Sequence, residues 1–426
     1  MTLVVHQNRD ALVKHQTHRL RELLQAILPA NLFYAQKLSA AGIDPEQIQT
    51  LADISRLPFT TKAELSADQL AHPPYGQVLT YPLSRYVRYC QTSGTTSRPL
   101  RWLDTPESWN WLSGCWEQIY KIVGVSAGDR LFFAFSFGPF LGFWTAFDAA
   151  SRLGCLCFPG GGMSSVARLR FLLENRVTVV LCTPTYALHL AEVAAQQKID
   201  LKSGPVQKLI VAGEPGGSIL ATRARIESEW GARVFDHHGL TEVGAAAVEC
   251  PENPAGLHLL ESEYIGEIID PTNTQPVSPG TIGELVLTNL GRWGSPVLRY
   301  RTGDLVKVDP NPCPCGRALV RLQGGILGRA DDMIHIRGNN LYPSALEAVI
   351  RRFPEVAEYR VEVDQSQSLT TLRIELEPSS ESLATGLVER VERAIREELL
   401  FRAEVCTVTP GSLPRYEMKA HRIHRK

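Results

Sequence analysis

The stretch Tyr89-Cys90-Gln91-Thr92-Ser93-Gly94-Thr95-Thr96-Ser97-Arg98-Pro99 gathers hydroxyls around a glycine, with few bulky side chains. Such a segment bends tightly and can turn backbone N–H and hydroxyl groups onto one anion, for which a phosphate chain is the natural guest. It lacks the Gly-Lys-Ser/Thr ending of a Walker loop, and the same composition also marks polar surface loops. Chemistry-bearing residues recur further on in compact blocks. They are Asp236-His237-His238-Gly239-Leu240-Thr241-Glu242-Val243-Gly244; Tyr300-Arg301-Thr302-Gly303-Asp304-Leu305; Gly328-Arg329-Ala330-Asp331-Asp332-Met333-Ile334-His335-Ile336-Arg337-Gly338; and Pro414-Arg415-Tyr416-Glu417-Met418-Lys419-Ala420. Each alone has a plain structural reading. Thr241-Glu242 suits a capped helix start, Asp304 a turn beside glycine, Arg329 a surface ion pair, Gly338 a turn, and Lys419 a frayed basic terminus.

The elements that must position these blocks are legible in outline. The chain has 426 residues, 44% hydrophobic and 21% charged, with net charge −1. That is globular composition with room for two or three domains, and nothing in the charge argues for a nucleic-acid partner. The most apolar run, residues 131–147, is interrupted by Gly138-Pro139 and Gly142 and is too short for a comfortable membrane span. No apolar leader opens the chain, and nine scattered cysteines suit reduced thiols, so a cytoplasmic protein is expected. Apolar spacing predicts a helix over residues 10–41, and Thr61 with Glu64 predicts a capping box. Helices are expected over 109–123, 140–150, 166–174 and 185–197. Buried strands are expected over 130–135, 155–158, 177–182 and 208–212. This alternation predicts a parallel sheet with ligands at the strand C-termini. Strands over 265–270 and 283–288 predict an antiparallel β region, read as a barrel. Past Arg329, a helix start at Tyr342-Pro343, strands over 358–363 and 369–376, and a helical stripe from Leu383 to Leu399 predict a small α+β unit. The expected fold is thus α/β and α+β: a large N-terminal domain with mixed sheets flanked by helices plus a β region, and a small mobile C-terminal α+β domain.

Together, and in this order, the five blocks resemble the acyl-adenylating superfamily: acyl-CoA synthetases, peptide-synthetase adenylation domains and luciferases. The Gly-Arg-x-Asp-Asp-Met block, the late Pro-Arg-x-Glu-x-Lys ending and the chain length are most similar to phenylacetate-CoA ligase relatives. The resemblance implies an ATP-dependent ligase that joins a carboxylic acid, of aromatic type, to AMP with release of pyrophosphate and then passes it to CoA. Transfer to a carrier protein or an amine, and a silent AMP- or acyl-binding relative, are the alternatives. It implies that Thr92, Ser93, Gly94, Thr95 and Thr96 hold the β- and γ-phosphates, with Ser97 and Arg98 standing where many relatives carry glycine and lysine. Thr241 would contact the α-phosphate and Glu242 a magnesium ion. Gly213, Glu214 and Pro215 would lie along the adenine, Asp236 and His237 would border the nucleotide, and Asp304 with Arg329 would hold the ribose. Lys419 would bridge the acid and the α-phosphate. Residues 1–330 would form the adenylation domain and 331–426 the small domain, hinged at Asp331, with Gly338 lining the CoA channel. A homodimer belongs to the same set of expectations; a nucleic-acid or membrane partner does not.

Two further groups stand beside the motifs. Cys250, His258, Cys313 and Cys315 offer three thiols and one imidazole, a standard structural zinc set, although Cys-x-Cys is tighter than the usual spacing and four loop residues with free thiols remain an alternative. Phe135, Phe137, Phe140 and Trp144 are ring-dense around a strand-to-helix turn. With His238 and Gly239 they would line a flat acyl pocket, or else be plain core.

Overall fold

A computed structural model describes residues 8–92, 98–336, 339–364, 371–416 and 419–425. An eight-stranded sheet forms its centre. The strands Leu156–Pro159, Arg130–Phe133, Val179–Cys182, Lys208–Val211 and Arg233–Leu240 run parallel in that spatial order. Antiparallel strands Gly244–Glu249, Gly256–Leu259 and Arg321–Gln323 then extend it. Alternate side chains go to opposite faces, as the period of a strand requires. Leu131, Phe133, Val179, Leu181, Ile210 and Phe235 enter one core, while Phe132, Val180, Leu209, Val211 and Val234 enter the other. Each fully buried Val, Leu, Ile or Phe contributes roughly 1.5–3 kcal/mol, so this sheet is the rigid platform and its strand ends are where loops can carry chemistry.

Helices fill the gaps between strands and begin and end where local chemistry dictates. Thr105 caps Pro106–Val123 by accepting from the Ser108 N–H, Pro106 opens the first turn, and left-handed Gly124 closes it. Thr183 and Pro184 open Pro184–Gln196 in the same way. The capping box at Thr61 and Glu64 is formed. The predicted helix over 10–41 is instead two, Arg9–Ile27 and Leu32–Ala40. Pro29 forces Leu28 into extended backbone, and Asn31 caps the restart. The helix expected from residue 140 starts only at Trp144, because Gly138-Pro139 and the positive φ of Phe137 and Gly142 hold residues 135–143 in a turn.

The predicted barrel is an open four-stranded sheet, Tyr264–Ile269, Ile282–Asn289, Tyr300–Lys307 and Gly328–Arg329, with no closing ladder among the described residues. Beyond it, Ile334, Ile336, Leu346, Ile350, Val361, Ile374, Val391 and Ile395 belong to a separate core. There a four-stranded sheet is covered by helices Pro343–Ile350 and Leu387–Leu399. No helix among the described residues is long and apolar enough to cross a membrane.

Candidate active site

Where the large sheet changes from parallel to antiparallel pairing, its strand ends bring several of the sequence blocks together. Arg233–Leu240 pairs parallel with Lys208–Val211 on one side and antiparallel with Gly244–Glu249 on the other. The ladder slips between His238 and Gly239. A Cβ at Gly239 would stand 2.7 Å from the Gly244 carbonyl oxygen, so only glycine lets the two backbones approach.

Thr241-Glu242 follows at once. The Glu242 side chain is buried; the Tyr300 hydroxyl donates to its Oε1 at 3.2 Å, and Lys62 Nζ lies 3.8 Å away. The turn is held from below. Arg292 Nη1 donates to the Thr241 carbonyl at 2.6 Å, while Nε and Nη2 engage both oxygens of Asp104 at 2.7 and 2.6 Å. Asp104 and Arg292 are both wholly buried.

Asp304 lies across the cleft. Arg329 Nη1 donates to its Oδ1 at 3.1 Å, and Arg329 also grips both oxygens of Asp331. Its Oδ2 is 3.3 Å from His238 Nε2, but the two are misaligned, and both atoms are buried without a hydrogen-bond partner. Burial pushes the Asp304 carboxyl up to about 6, opposed chiefly by the Arg329 charge. Burial takes His238 down to about 4, aided by the charges of Lys419 and Arg329. Two adjacent buried polar atoms without a hydrogen-bond partner could be satisfied by a hydroxyl group, which can both donate and accept. Gly303 makes this approach possible. Its φ is +77°, and a Cβ there would meet Arg329 Nη2 at 2.8 Å. Gly303→Ala is expected to cost about 1–2 kcal/mol of stability for the left-handed backbone alone. A lowered urea midpoint checks this, and an unchanged midpoint would mean that the backbone relaxes to negative φ.

Lys419 arrives from the C-terminal segment. A Cβ on Gly213 would lie 3.6 Å from its Cε, and the neighbouring Ala420 N–H donates to Glu214 Oε2 at 2.7 Å. One side of Lys419 stays open to solvent. The surrounding protein nevertheless holds its ammonium below the ordinary lysine range, against the pull of the Glu214, Asp304 and Glu242 carboxylates. Glu242, Asp304 and Glu214 therefore all lie close enough for their charges to act on Lys419.

The other expected residues are placed less uniformly. Thr92 joins the two ends of its loop, its N–H donating to the Leu100 carbonyl and its Oγ1 accepting from the Leu100 N–H. Ser93, Gly94, Thr95, Thr96 and Gly338 lie outside the described residues. Asp236 is buried among chain groups: Ser218 Oγ donates to it at 2.5 Å and the His237 N–H at 3.0 Å, and burial pushes it up to about 7. His237 donates from Nδ1 to the Ala247 carbonyl at 2.8 Å, which fixes the tautomer, and burial takes it down to about 3. Its ring packs against Trp116, tilted 54° at 4.4 Å between centroids, and contacts run on from Trp116 to Phe143 and from Phe143 to Phe135. Phe137 packs edge-on to Trp144 at 4.8 Å, and Phe140 borders the Gly138 turn. Trp116, Lys62, Asp104 and Arg292 carry no signal of this neighbourhood in the sequence: Trp116 falls within the helix expected over 109–123 and Lys62 within a helix start. The Asp104–Arg292 pair spans 188 residues.

Away from this cleft, the ligand atoms of Cys250, His258, Cys313 and Cys315 all lie within 4.8 Å of one another. Cys250 Sγ is 3.7 Å from Cys313 Sγ, and Cys315 Sγ is 3.3 Å from His258 Nε2. Two elements of the sheet edge meet here, since His258 pairs with Arg321 in the outermost ladder.

The chain matches the sequence model of the AMP-binding enzyme family over residues 14–291 and that of the AMP-binding enzyme C-terminal domain over residues 338–426. It is 30% identical to the phenylacetate-coenzyme A ligase of Thermus thermophilus over 96% of this chain and 95% of that one. Among solved structures it is similar to 2-hydroxyisobutyryl-CoA ligase in the postadenylation state with 2-HIB-AMP (TM-score 0.94, 29% identity, 99% of this chain and 91% of that one). Against that ligase with 2-HIB-AMP and CoA in the thioesterification state the TM-score is 0.75, at 30% identity and the same coverage.

Proposed function

The chain belongs to the AMP-binding enzyme family, among acid-CoA ligases of phenylacetate-CoA ligase type, and from that premise we propose how its residues divide the work. The enzyme activates a carboxylic acid with ATP to an acyl-adenylate and then forms the CoA thioester. In the first step a carboxylate oxygen bonds to the α-phosphorus, and the bond to the bridging oxygen breaks to release pyrophosphate. In the second, the CoA sulfur bonds to the acyl carbon and AMP leaves. Both reactants of the first step are anions, so the site must supply positive charge and fixed donors where charge builds up.

The observation that carries this assignment is that Lys419 lies against Gly213, beside the Glu214 that binds the Ala420 N–H, within reach of the charges of Asp304 and Glu242. Lys419 bridges the acid and the α-phosphate as a flexible ammonium. Asp304 and His238 receive the ribose hydroxyls at their unpartnered atoms, with Arg329 fixing the carboxylate. Thr241, on a turn pinned by Arg292, faces the α-phosphate. Gly213, Glu214 and Pro215 border the adenine, with Asp236 and His237 supporting that wall from below. Lys62 adds charge beside Glu242. A magnesium ion on Glu242 would offset phosphate charge; Tyr300 and Lys62 both approach Oε1, so Oε2 is the oxygen that would hold it. The loop from Thr92 to Thr96 would close over the outer phosphates. Rotation at Asp331, which Arg329 holds to Asp304 in this arrangement, would exchange Lys419 for the thiol channel beside Gly338.

The acid is aromatic in this reading, since rings at Phe135, Phe137, Phe143, Trp144 and Trp116 supply a wall that favours stacking. ATP-pyrophosphate exchange over a panel of aromatic and small hydroxy acids tests it. Exchange confined to aliphatic hydroxy acids would overturn the aromatic assignment. CoA and a phosphopantetheinyl carrier protein are offered in the same assay, and CoA is the expected acceptor. All nine cysteines are free, which supports a reducing compartment such as the cytoplasm.

The Cys3His cluster fits a tetrahedral zinc ion in donor type and mutual spacing. Its role would be to staple the sheet edge to the loop before Arg321. Protein purified without chelator is expected to carry close to one zinc per chain by elemental analysis, and Cys315→Ser to lose it. Metal-free protein, or full zinc in the variant, would count against the site.

A further inference from the structure

The helix Pro184–Gln196 meets the C-terminal segment at points that flank Lys419 on both sides in sequence. At its first turn, Glu214 Oε1 accepts from the Thr185 N–H at 2.9 Å while Oε2 accepts from the Ala420 N–H at 2.7 Å. One carboxylate thus joins the helix start to the residue after Lys419. The Thr185 hydroxyl oxygen accepts from Arg422 Nη2 at 3.1 Å. Seven residues on, and so on the same helical face, Glu192 receives a two-pronged contact from Arg415, Nε to Oε2 at 2.9 Å and Nη2 to Oε1 at 3.1 Å. Arg415 is itself braced by Glu377 of the small unit at 2.5 and 3.1 Å, so the guanidinium reaches Glu192 ready-oriented.

We infer that Glu192 and Glu214 are positioning residues for acid activation: they dock Arg415 and residues 420–422, on either side of Lys419, onto the large sheet's helix so that Lys419 lies beside Gly213. They do not serve the thioester step, which needs that segment elsewhere. This rests on the two-step reading above. The physical argument concerns population. Lys419 has a long flexible stem, so its placement is set by the backbone on either side, and that backbone is held by these contacts. Removing a contact present in one domain placement and absent from the other lowers the competent fraction for the first step alone. The donor-acceptor count gives Glu214 a specific requirement. Both its partners are N–H donors, so a glutamine would satisfy one and turn an NH2 group on the other.

Glu192 lies outside the cleft and is partly exposed, which makes it the cleaner probe. In the full-length enzyme, Glu192→Lys is expected to lower acid-dependent ATP-pyrophosphate exchange about tenfold or more, since like charge replaces a paired contact. Glu192→Gln keeps one acceptor and is expected to fall only about two- to fivefold. With chemically prepared acyl-adenylate and CoA, both variants are expected to form thioester at the wild-type rate or faster. Equal losses in both half-reactions, or unchanged exchange in Glu192→Lys, would overturn the inference, with wild-type activity as the reference. Absence of exchange in the wild type with every acid would instead strike at the functional reading. If Glu192→Lys fails to fold, the isosteric Glu192→Gln carries the same split between steps on its own.

Discussion

Lys419→Ala is expected to slow acyl-adenylate formation by about 10²–10³-fold, the cost of removing one well-placed charged donor from a transition state. Thioester formation from supplied adenylate should stay within about twofold of wild type. In the proposed division of work the lysine serves the first step only. It lies against Gly213, in the field of Glu214, Asp304 and Glu242. These carboxylates oppose the lowering caused by burial and favour the charged form, which is the form the reaction needs. Lys419→Arg keeps the charge but not the compact geometry, and should recover only part of the rate. Measuring the two half-reactions separately decides the matter. Near-normal adenylate formation by Lys419→Ala would remove this residue from the chemistry and leave the cleft with Lys62 as its remaining candidate.

The largest effect on stability is expected at a residue that touches no substrate. Arg292→Met should destabilise the fold by about 3–5 kcal/mol, because Asp104 would be left in a wholly buried place without its partner. Arg292 also packs its guanidinium at 5.4 Å over Trp102 and holds the Thr241 carbonyl. The surviving folded fraction should therefore activate acid poorly. The double variant Asp104→Leu/Arg292→Met removes both charges and should regain most of the stability without regaining the activity. Urea unfolding of the three proteins beside their exchange rates checks both parts. Additive stability losses in the double variant would show that the two charges do not depend on one another.

Much of the architecture was legible because it is written locally. The alternation of short buried strands with capped helices predicted the parallel sheet, and the Thr61–Glu64 box formed as read. The misreadings were also local. A helical stripe over residues 10–41 hid the break at Pro29, since periodicity is blind to a missing N–H. The helix expected over 140–150 begins only at Trp144, because the turn opened at Gly138-Pro139 persists to residue 143. The suggested barrel failed because strand composition does not say whether the last ladder closes.

The sequence by itself determined which residues are available for chemistry. Five blocks in order named Glu242, Asp304, Arg329 and Lys419, and three thiols and one imidazole were named as a candidate metal set whose members prove to be neighbours. Only the tertiary structure decided what surrounds them. Lys62 reaches Glu242, Trp116 packs against His237, Arg292 closes on Asp104, and Glu192 takes hold of Arg415. None of these pairs leaves a trace in spacing. A motif records residues that must lie close along the chain to act on one ligand, whereas a support contact needs only complementary charge or shape at a distance set by how sheets and helices pack. Any arginine or tryptophan could have served that purpose, and which one does is fixed by register, strand order and the docking of the small unit.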